Sequence, residues 1–417
     1  MLRSPSRRFS GRALTRRSVL AASAATASAL ALPATMRATR QATPVAAASA
    51  DDLITITQAV MDELHLRATI LQVAIDGDVL VSTALGESIS GVPATTDMRF
   101  RNGAVAISLI STLLLTLVDD GVLGLDDPIA TWLPDVPDAD AATLRMLANM
   151  TAGYRDHVQN PDFVGLLQDD PFQGFDPQEI LSYSFAQSRL FAPGANWECS
   201  HSNYFLLGLV MEAATGQSVE QLMQDRVLDP LNLKATVNNA TGQMADPALH
   251  TFTSERREWL GIAPGTRFYE ESTYWNTSWT LTQGAVQTTT IEDFAASMVA
   301  VGEGTLLSPE SSAAQLDRGL FRFGESLNGC NSCRTLGDRY NYGLGVVFGG
   351  PWIAQNPLFY GGSGVSAYLP ERKLSIAVAN TYGEGAFDGD GVYTNGSVTL
   401  FEALAAALAP DLATPVP

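Results

Sequence analysis

The stretch FRNGAVAISLISTLLLTLVDDG, residues 100–121, decides how the rest of the chain is read. From Val105 to Val118 it is apolar around most of a helical circumference, with Leu109, Ile110, Leu113, Leu114, Leu115, Leu117 and Val118 leaving little room for a solvent face. A helix of that kind is buried on all sides. The triplet Asp119-Asp120-Gly121 stops it, as a glycine after the last helical residue commonly does. Its fourteen residues fall short of the roughly 20 needed to cross a bilayer. The stretch therefore predicts the central buried helix of a large domain.

Working outward, Asp51 to Leu66 has apolar residues at spacings of three and four and predicts an amphipathic helix. Thr69–Ala74 and Asp78–Ala84 are β-rich runs joined by Asp76-Gly77, the dipeptide of a tight hairpin. Residues 126–200 mix short helical pieces with loops rich in Pro, Asp and Gly, which suits a helical lobe inserted beside the sheet. Helices are expected from about Asn203 to Ala214 and from Ser218 to Val227, and another after Thr290. The last segment returns to strands, YNYGLGVVF from Tyr340, LFYGGSGVSAYLP from Leu358 and KLSIAVANTY from Lys373, before a closing helix from Val398. Terminal elements that meet around an inserted helical lobe make an α+β fold, an antiparallel sheet flanked by helices.

The 417 residues, 46% hydrophobic and 17% charged, suffice for one large core. The first fifty residues differ from the rest: they contain eight arginines and no acid, with TRRSVL at 15–20 and a small-residue apolar run at 21–31. That combination reads as a twin-arginine export signal, residues 1–50, preceding a domain of residues 51–417. Cleavage fits after Ala29-Leu30-Ala31 or after Ala46-Ala47-Ala48. Removing the segment takes the formal charge from −19 to −27, because eight arginines leave and no acid does. So acidic a surface repels nucleic acid and anionic lipid, and no transmembrane segment is expected in the mature chain. Cys330 and Cys333 are close enough to close a small disulfide loop in an oxidising compartment; half of a metal site is the rival, with no second cysteine pair to complete it.

FRNGAV, LVDDGVLGLDDPIATWLPDVP, LANMTAGY, PGANWECSHSNYFLLG and GAVQTTTIEDFAASMVAVGEGTLLSPE together resemble the serine β-lactamase and penicillin-binding-protein-like hydrolases, which include class C β-lactamases, D-alanyl-D-alanine carboxypeptidases and related esterases. The resemblance runs over roughly residues 52–410 and implies the β-lactamase/transpeptidase-like fold. It also implies three motifs that converge in space. In S-x-x-K the serine is the nucleophile and the lysine, one helical turn on, its base. In Y-x-N the tyrosine moves a proton and the asparagine orients substrate. In H-x-G or K-T-G the basic residue meets the substrate carboxylate or stabilises charge.

The matching positions here are Ala104 and Ile107, then Cys199 and His201, then Tyr360 in Phe359-Tyr360-Gly361-Gly362-Ser363-Gly364. Ala104 cannot attack a carbonyl, and Ile107 cannot move a proton. The chain has two lysines, Lys234 and Lys373, preceded three residues earlier by Leu231 and Pro370, so no S-x-x-K exists anywhere in it. Five replaced positions in three separated motifs imply a family member without the family's catalysis, which acts by binding a ligand in a relic cleft lined by Ser200, Tyr360, Gly361, Gly362 and Ser363. A cell-wall peptide or a small molecule would suit that cleft; oligomeric state is left open. The alternatives are a hydrolase using Cys199 with His201, or Ser363, and a purely structural envelope protein. His65, His157 and His250 read as structural or surface residues, and no cofactor or metal motif is evident.

Overall fold

The computed structural model describes residues 48–238, 241–263 and 265–412. The expected export signal falls almost entirely at residues 1–47, outside the described residues. The folded chain starts slightly before the expected boundary. Ser49 caps helix α1 (Ala50–Glu63), accepting from the backbone of Asp52, while Asp52 reaches back to the Ser49 N–H.

The hairpin at Asp76-Gly77 forms as its residues dictate. Both adopt positive φ, and they join β1 (Leu66–Ile75) to β2 (Asp78–Ile89), each longer than its apolar core suggests. The main sheet continues with β3 (Val92–Pro93), β4 (Asn341–Tyr342), β5 (Val347–Gly349), β6 (Trp352–Gln355), β7 (Leu358–Phe359), β8 (Gly362–Leu369) and β9 (Leu374–Tyr382). Its order is β3-β2-β1-β9-β8-β6-β5-β4, with β7 alongside β8. The first and last long strands are thus neighbours, Leu71 facing Val378 across an antiparallel ladder. Two stretches that read as single strands are each broken by a turn, at Gly343–Val346 and at Tyr360-Gly361.

The helices are α1, α2 (Val105–Asp119), α3 (Leu144–Ala148), α4 (Pro161–Asp169), α5 (Pro177–Phe185), α6 (His201–Thr215), α7 (Val219–Met223, followed by a π turn), α8 (Ile291–Glu303), α9 (Pro309–Gln315) and α10 (Gly396–Leu408). Strand alternation sorts them. On β8, Ser363 bonds Ser397 of α10, whereas Ser366 donates to the Phe294 carbonyl of α8 and Tyr368 donates to Glu303. Odd residues therefore face α10 and α1, and even residues face α8. Every residue of β9 is buried, as a strand covered on both faces must be.

Behind α8 lies α2. Twelve of its fifteen residues are buried, with Leu109, Ile110, Leu113, Leu114, Leu115 and Leu117 fully so. Truncating one of those leucines to alanine costs about 2–5 kcal/mol. The helical lobe, α3 to α5, packs on α6 around Phe163, Leu147 and Ile180.

Candidate functional site

The three motif regions meet where the N-terminus of α2, the segment before α6 and the turn between β7 and β8 approach one another. Ahead of α2, Asn102 donates to Gln287 through its backbone (3.2 Å) and its amide (2.5 Å), fixing the entry of the chain. Gly103 follows at φ 49°, and a Cβ there would lie 2.4 Å from Pro357, so the approach admits only glycine. Ala104 then starts the helix with no side-chain cap. Ile107, one turn on, is 6% exposed and belongs to the main core. Neither lysine is near: Lys373 Nζ pairs with Asp76 at the surface, 2.7 Å away, and Lys234 is exposed.

The second region is laced to the loop that carries LANMTAGY, including Asp156 just beyond it, which sequence reasoning did not single out. Met150, at φ 67°, accepts from the Glu198 backbone through its carbonyl and from Ser200 N–H through its sulfur. Further along that loop, Asp156 accepts from the His201 backbone N–H at 3.2 Å and lies 3.0 Å from His201 Nδ1. Burial would pull the His201 imidazole down, but the Asp156 charge and hydrogen bond outweigh it and raise its pKa. Burial likewise opposes ionisation of Asp156, yet His201 and His157 hold its carboxyl below the usual range. His157 is fully buried between Ser202 Oγ (2.9 Å) and the Trp279 carbonyl (2.8 Å), and burial pulls it down to about 4.

Cys199 has no hydrogen bond to His201, whose ring Nδ1 is taken by Asp156. The surroundings of Cys199 include Tyr204, Tyr340 and Tyr342, and its carbonyl accepts from Ser332 in the loop closed by the Cys330–Cys333 disulfide. Burial, then the charges of Asp156 and Glu198, push its thiol up to about 12, the opposite of what a nucleophilic cysteine needs. Glu198 itself is 1% exposed, and burial, then the charge of Asp156, pushes it up to about 8 against the opposing pull of Arg155 and of the Asp156 backbone. The Ser200 hydroxyl is buried and also lacks a partner.

In the third region Tyr360 sits at φ 52° with its carbonyl accepting from Ser272 Oγ at 2.6 Å. Its ring makes edge contacts with Trp275 (4.8 Å between centroids), Trp279 (5.7 Å) and Phe359 (5.8 Å). Trp279 in turn lies 6.2 Å from the His201 ring, so one indole bridges the second and third motif regions. Trp275 and Trp279 are 2% and 9% exposed, and space between these regions is taken up by aromatic carbon. A Cβ on Gly361 would meet the Phe252 carbonyl at 1.8 Å, so a short hairpin of Phe252–Thr253 and Glu270–Glu271 lies against the start of β8. Ser363 is no free nucleophile, since its hydroxyl is shared between Ser397 (2.8 Å) and Tyr382 (2.7 Å). Tyr360, Gly362 and Ser363 line a small cavity of about 40 Å³.

A family model described as beta-lactamase matches residues 53–397. The chain belongs to the beta-lactamase family. Among similar members are penicillin-binding protein 4 of Amycolatopsis lactamdurans, 33% identical over 190 residues (42% of this chain, 45% of that protein), and esterase EstB of Burkholderia gladioli, 29% identical over 202 residues (45% and 51%). The chain spans about half the length of these curated relatives. The fold matches that of a D-amino acid amidase from Ochrobactrum anthropi SV3 solved with L-phenylalanine, at a TM-score of 0.70 and 20% identity, covering 85% of this chain and 98% of that one. No helix among the described residues is long and apolar enough to cross a membrane, and no group of three or more His, Cys, Asp or Glu among them is placed to hold a metal ion.

Proposed function

We propose that this chain is an exported beta-lactamase family member that has given up acyl-transfer chemistry and acts by binding a small molecule or cell-wall peptide. One observation carries the reading: the two positions one turn apart at the head of α2 hold Ala104 and Ile107, while both lysines of the chain sit at the surface. Removing a nucleophile and its base costs several orders of magnitude in turnover and leaves only what binding contributes. The aromatic side chains around Tyr360 support the loss of acyl transfer, since they pack between the motif regions. The amino acid held by the structurally similar D-amino acid amidase, L-phenylalanine, suggests the candidate ligand class, and the arginine-rich first fifty residues suggest the export route.

A second reading, hydrolysis by His201 with Cys199, draws on the Asp156–His201 contact, because a carboxylate that orients a histidine is part of many catalytic groupings. The Cys199 thiol, pushed up to about 12 by burial and by the charges of Asp156 and Glu198, argues against it. Incubation of the purified protein with nitrocefin, p-nitrophenyl acetate and a fluorescent penicillin separates the two. The proposal expects neither turnover nor a stable adduct; turnover abolished by Cys199→Ala overturns it. Calorimetry with peptidoglycan fragments then tests for binding.

A further inference from the structure

The loop from Gly324 to Leu336 belongs to no helix or strand and carries the Cys330–Cys333 disulfide. Its neck is closed without the cysteines. Arg322 N–H donates to the Leu336 carbonyl, Leu336 N–H to the Phe323 carbonyl, and Thr335 Oγ1 to the Gly324 carbonyl (2.9 Å). Asn196 holds it from the side, accepting from Glu325 N–H (2.8 Å) and donating to the Glu325 carbonyl (3.0 Å). These anchors remain when the disulfide opens.

The surroundings of Cys330 supply more than a structural bridge requires. The Cys333 N–H donates to Cys330 Sγ at 3.0 Å. That peptide group is itself polarised, because the Ser332 carbonyl at its other end accepts from Arg334 Nε at 3.2 Å. The Gly329 carbonyl, in the peptide that leads into Cys330, accepts from Arg155 Nη1 at 3.1 Å. Guanidinium, carbonyl, N–H and sulfur thus form one chain, in which each hydrogen bond strengthens the next. A neutral sulfur is a weak acceptor and gains little from it, whereas a charged thiolate gains much. The arrangement favours the state in which Cys330 has left the bond with the electron pair.

The two cysteines are sunken, at 8% and 6% exposed, beneath the exposed Gly329, Asn331 and Arg334. That depth excludes the thiol of a folded protein and admits a small one when the loop opens locally. Cys199 is no third partner, since its thiol, pushed up to about 12, stays protonated.

We propose that Cys330–Cys333 is a redox-active site that exchanges with low-molecular-weight thiols. A thiolate RS⁻ attacks Cys333 Sγ, the Cys330–Cys333 bond breaks, and Cys330 leaves as the thiolate that accepts the Cys333 N–H. A second RS⁻ attacks the R sulfur of the mixed disulfide, and Cys333 leaves as its thiolate. Two thiols are oxidised to one RSSR, the protein gains two electrons, and the two thiol protons pass to solvent or to the cysteines. The better-stabilised thiolate leaves faster, which places the first attack on Cys333. The assignment goes beyond the relic-cleft reading and does not depend on it.

The test incubates native protein at neutral pH with about 10 mM glutathione and about a hundredth as much glutathione disulfide, then alkylates and maps the cysteines by mass spectrometry, with circular dichroism reporting the fold. At least half of the pair is expected to be reduced with the fold unchanged. In the reduced protein, Cys330 is expected to react with iodoacetamide about tenfold faster than Cys333 at pH 7 and to keep reacting at lower pH. Arg334→Gln, at an exposed side chain, is expected to remove most of that difference and to raise several-fold the glutathione needed for half-reduction. A pair that stays oxidised, reduction that proceeds only with loss of the fold, equal alkylation of the two cysteines, or an Arg334→Gln profile matching the parent overturns the proposal. The first three are read on the unaltered protein and stand even if Arg334→Gln folds poorly.

Discussion

Asp156 grips His201 twice, accepting the backbone N–H with Oδ1 at 3.2 Å and meeting the ring Nδ1 with Oδ2 at 3.0 Å. The pair ties the loop after α3 to the first turn of α6 and so holds the helical lobe in place beside the motif region. His201, raised above its ordinary 6.5, contributes stability in full below that value and loses it as pH rises through the folded pKa. Asp156, held below its ordinary 3.8, contributes above that value and loses it as pH falls through the folded pKa. Asp156→Asn is therefore expected to destabilise most between about pH 4 and 6.5, by about 3 kcal/mol, with less effect at pH 9. Denaturant unfolding at three pH values checks the magnitude, and NMR titration of the His201 ring checks the cause. An unchanged imidazole pKa in the variant would sink the account.

Glu198 runs the other way. Its folded pKa of about 8 exceeds the ordinary 4.5, so the native state holds a proton that the unfolded chain releases. The group's contribution is intact below pH 4.5 and drains away as pH climbs toward 8. Glu198→Gln is expected to stabilise the protein by on the order of 2 kcal/mol at pH 8 and to do little at pH 4.5. Equal melting shifts at both pH values would count against it.

Restoring the nucleophile alone should do nothing visible to catalysis. Ala104→Ser is expected to fold with stability within about 0.5 kcal/mol of the parent and to form no adduct with a fluorescent penicillin. Ile107→Lys places an ammonium at a position 6% exposed and is expected to cost about 3–5 kcal/mol. Melting curves and gel fluorescence of the single and double variants check both statements.

Cys199 should be sluggish toward thiol reagents. With its thiol pushed up to about 12, the thiolate fraction at pH 8 is small, and Ellman's reagent is expected to label the native protein slowly and the denatured protein at once. Fast labelling of native protein would instead mark a reactive cysteine and favour the thiol-hydrolase reading.

What the sequence made legible followed from periodicity and turn chemistry. The apolar run at 105–118 became a helix one residue longer, and Asp76-Gly77 became the hairpin turn it spells. The register of β9 beside β1 was implicit in two apolar runs at opposite ends of the chain. Asp156, Glu198, Trp275 and Trp279 left no comparable mark. Each lies in a loop without a repeat, and each matters because distant loops fold together: Asp156 meets His201 from 45 residues away, and Trp279 meets Tyr360 from another loop.

The packing of Ile107 also constrains evolutionary history. A serine at 104 confers nothing without a base, and a lysine at 107 loses stability before it confers anything. Each single step toward the S-x-x-K pattern is thus neutral or harmful, and Trp275 and Trp279 would still pack against Tyr360. On the proposed reading, the hydrophobic surroundings at the head of α2 act as a ratchet, because a lysine at position 107 would cost stability before it could serve a serine at 104.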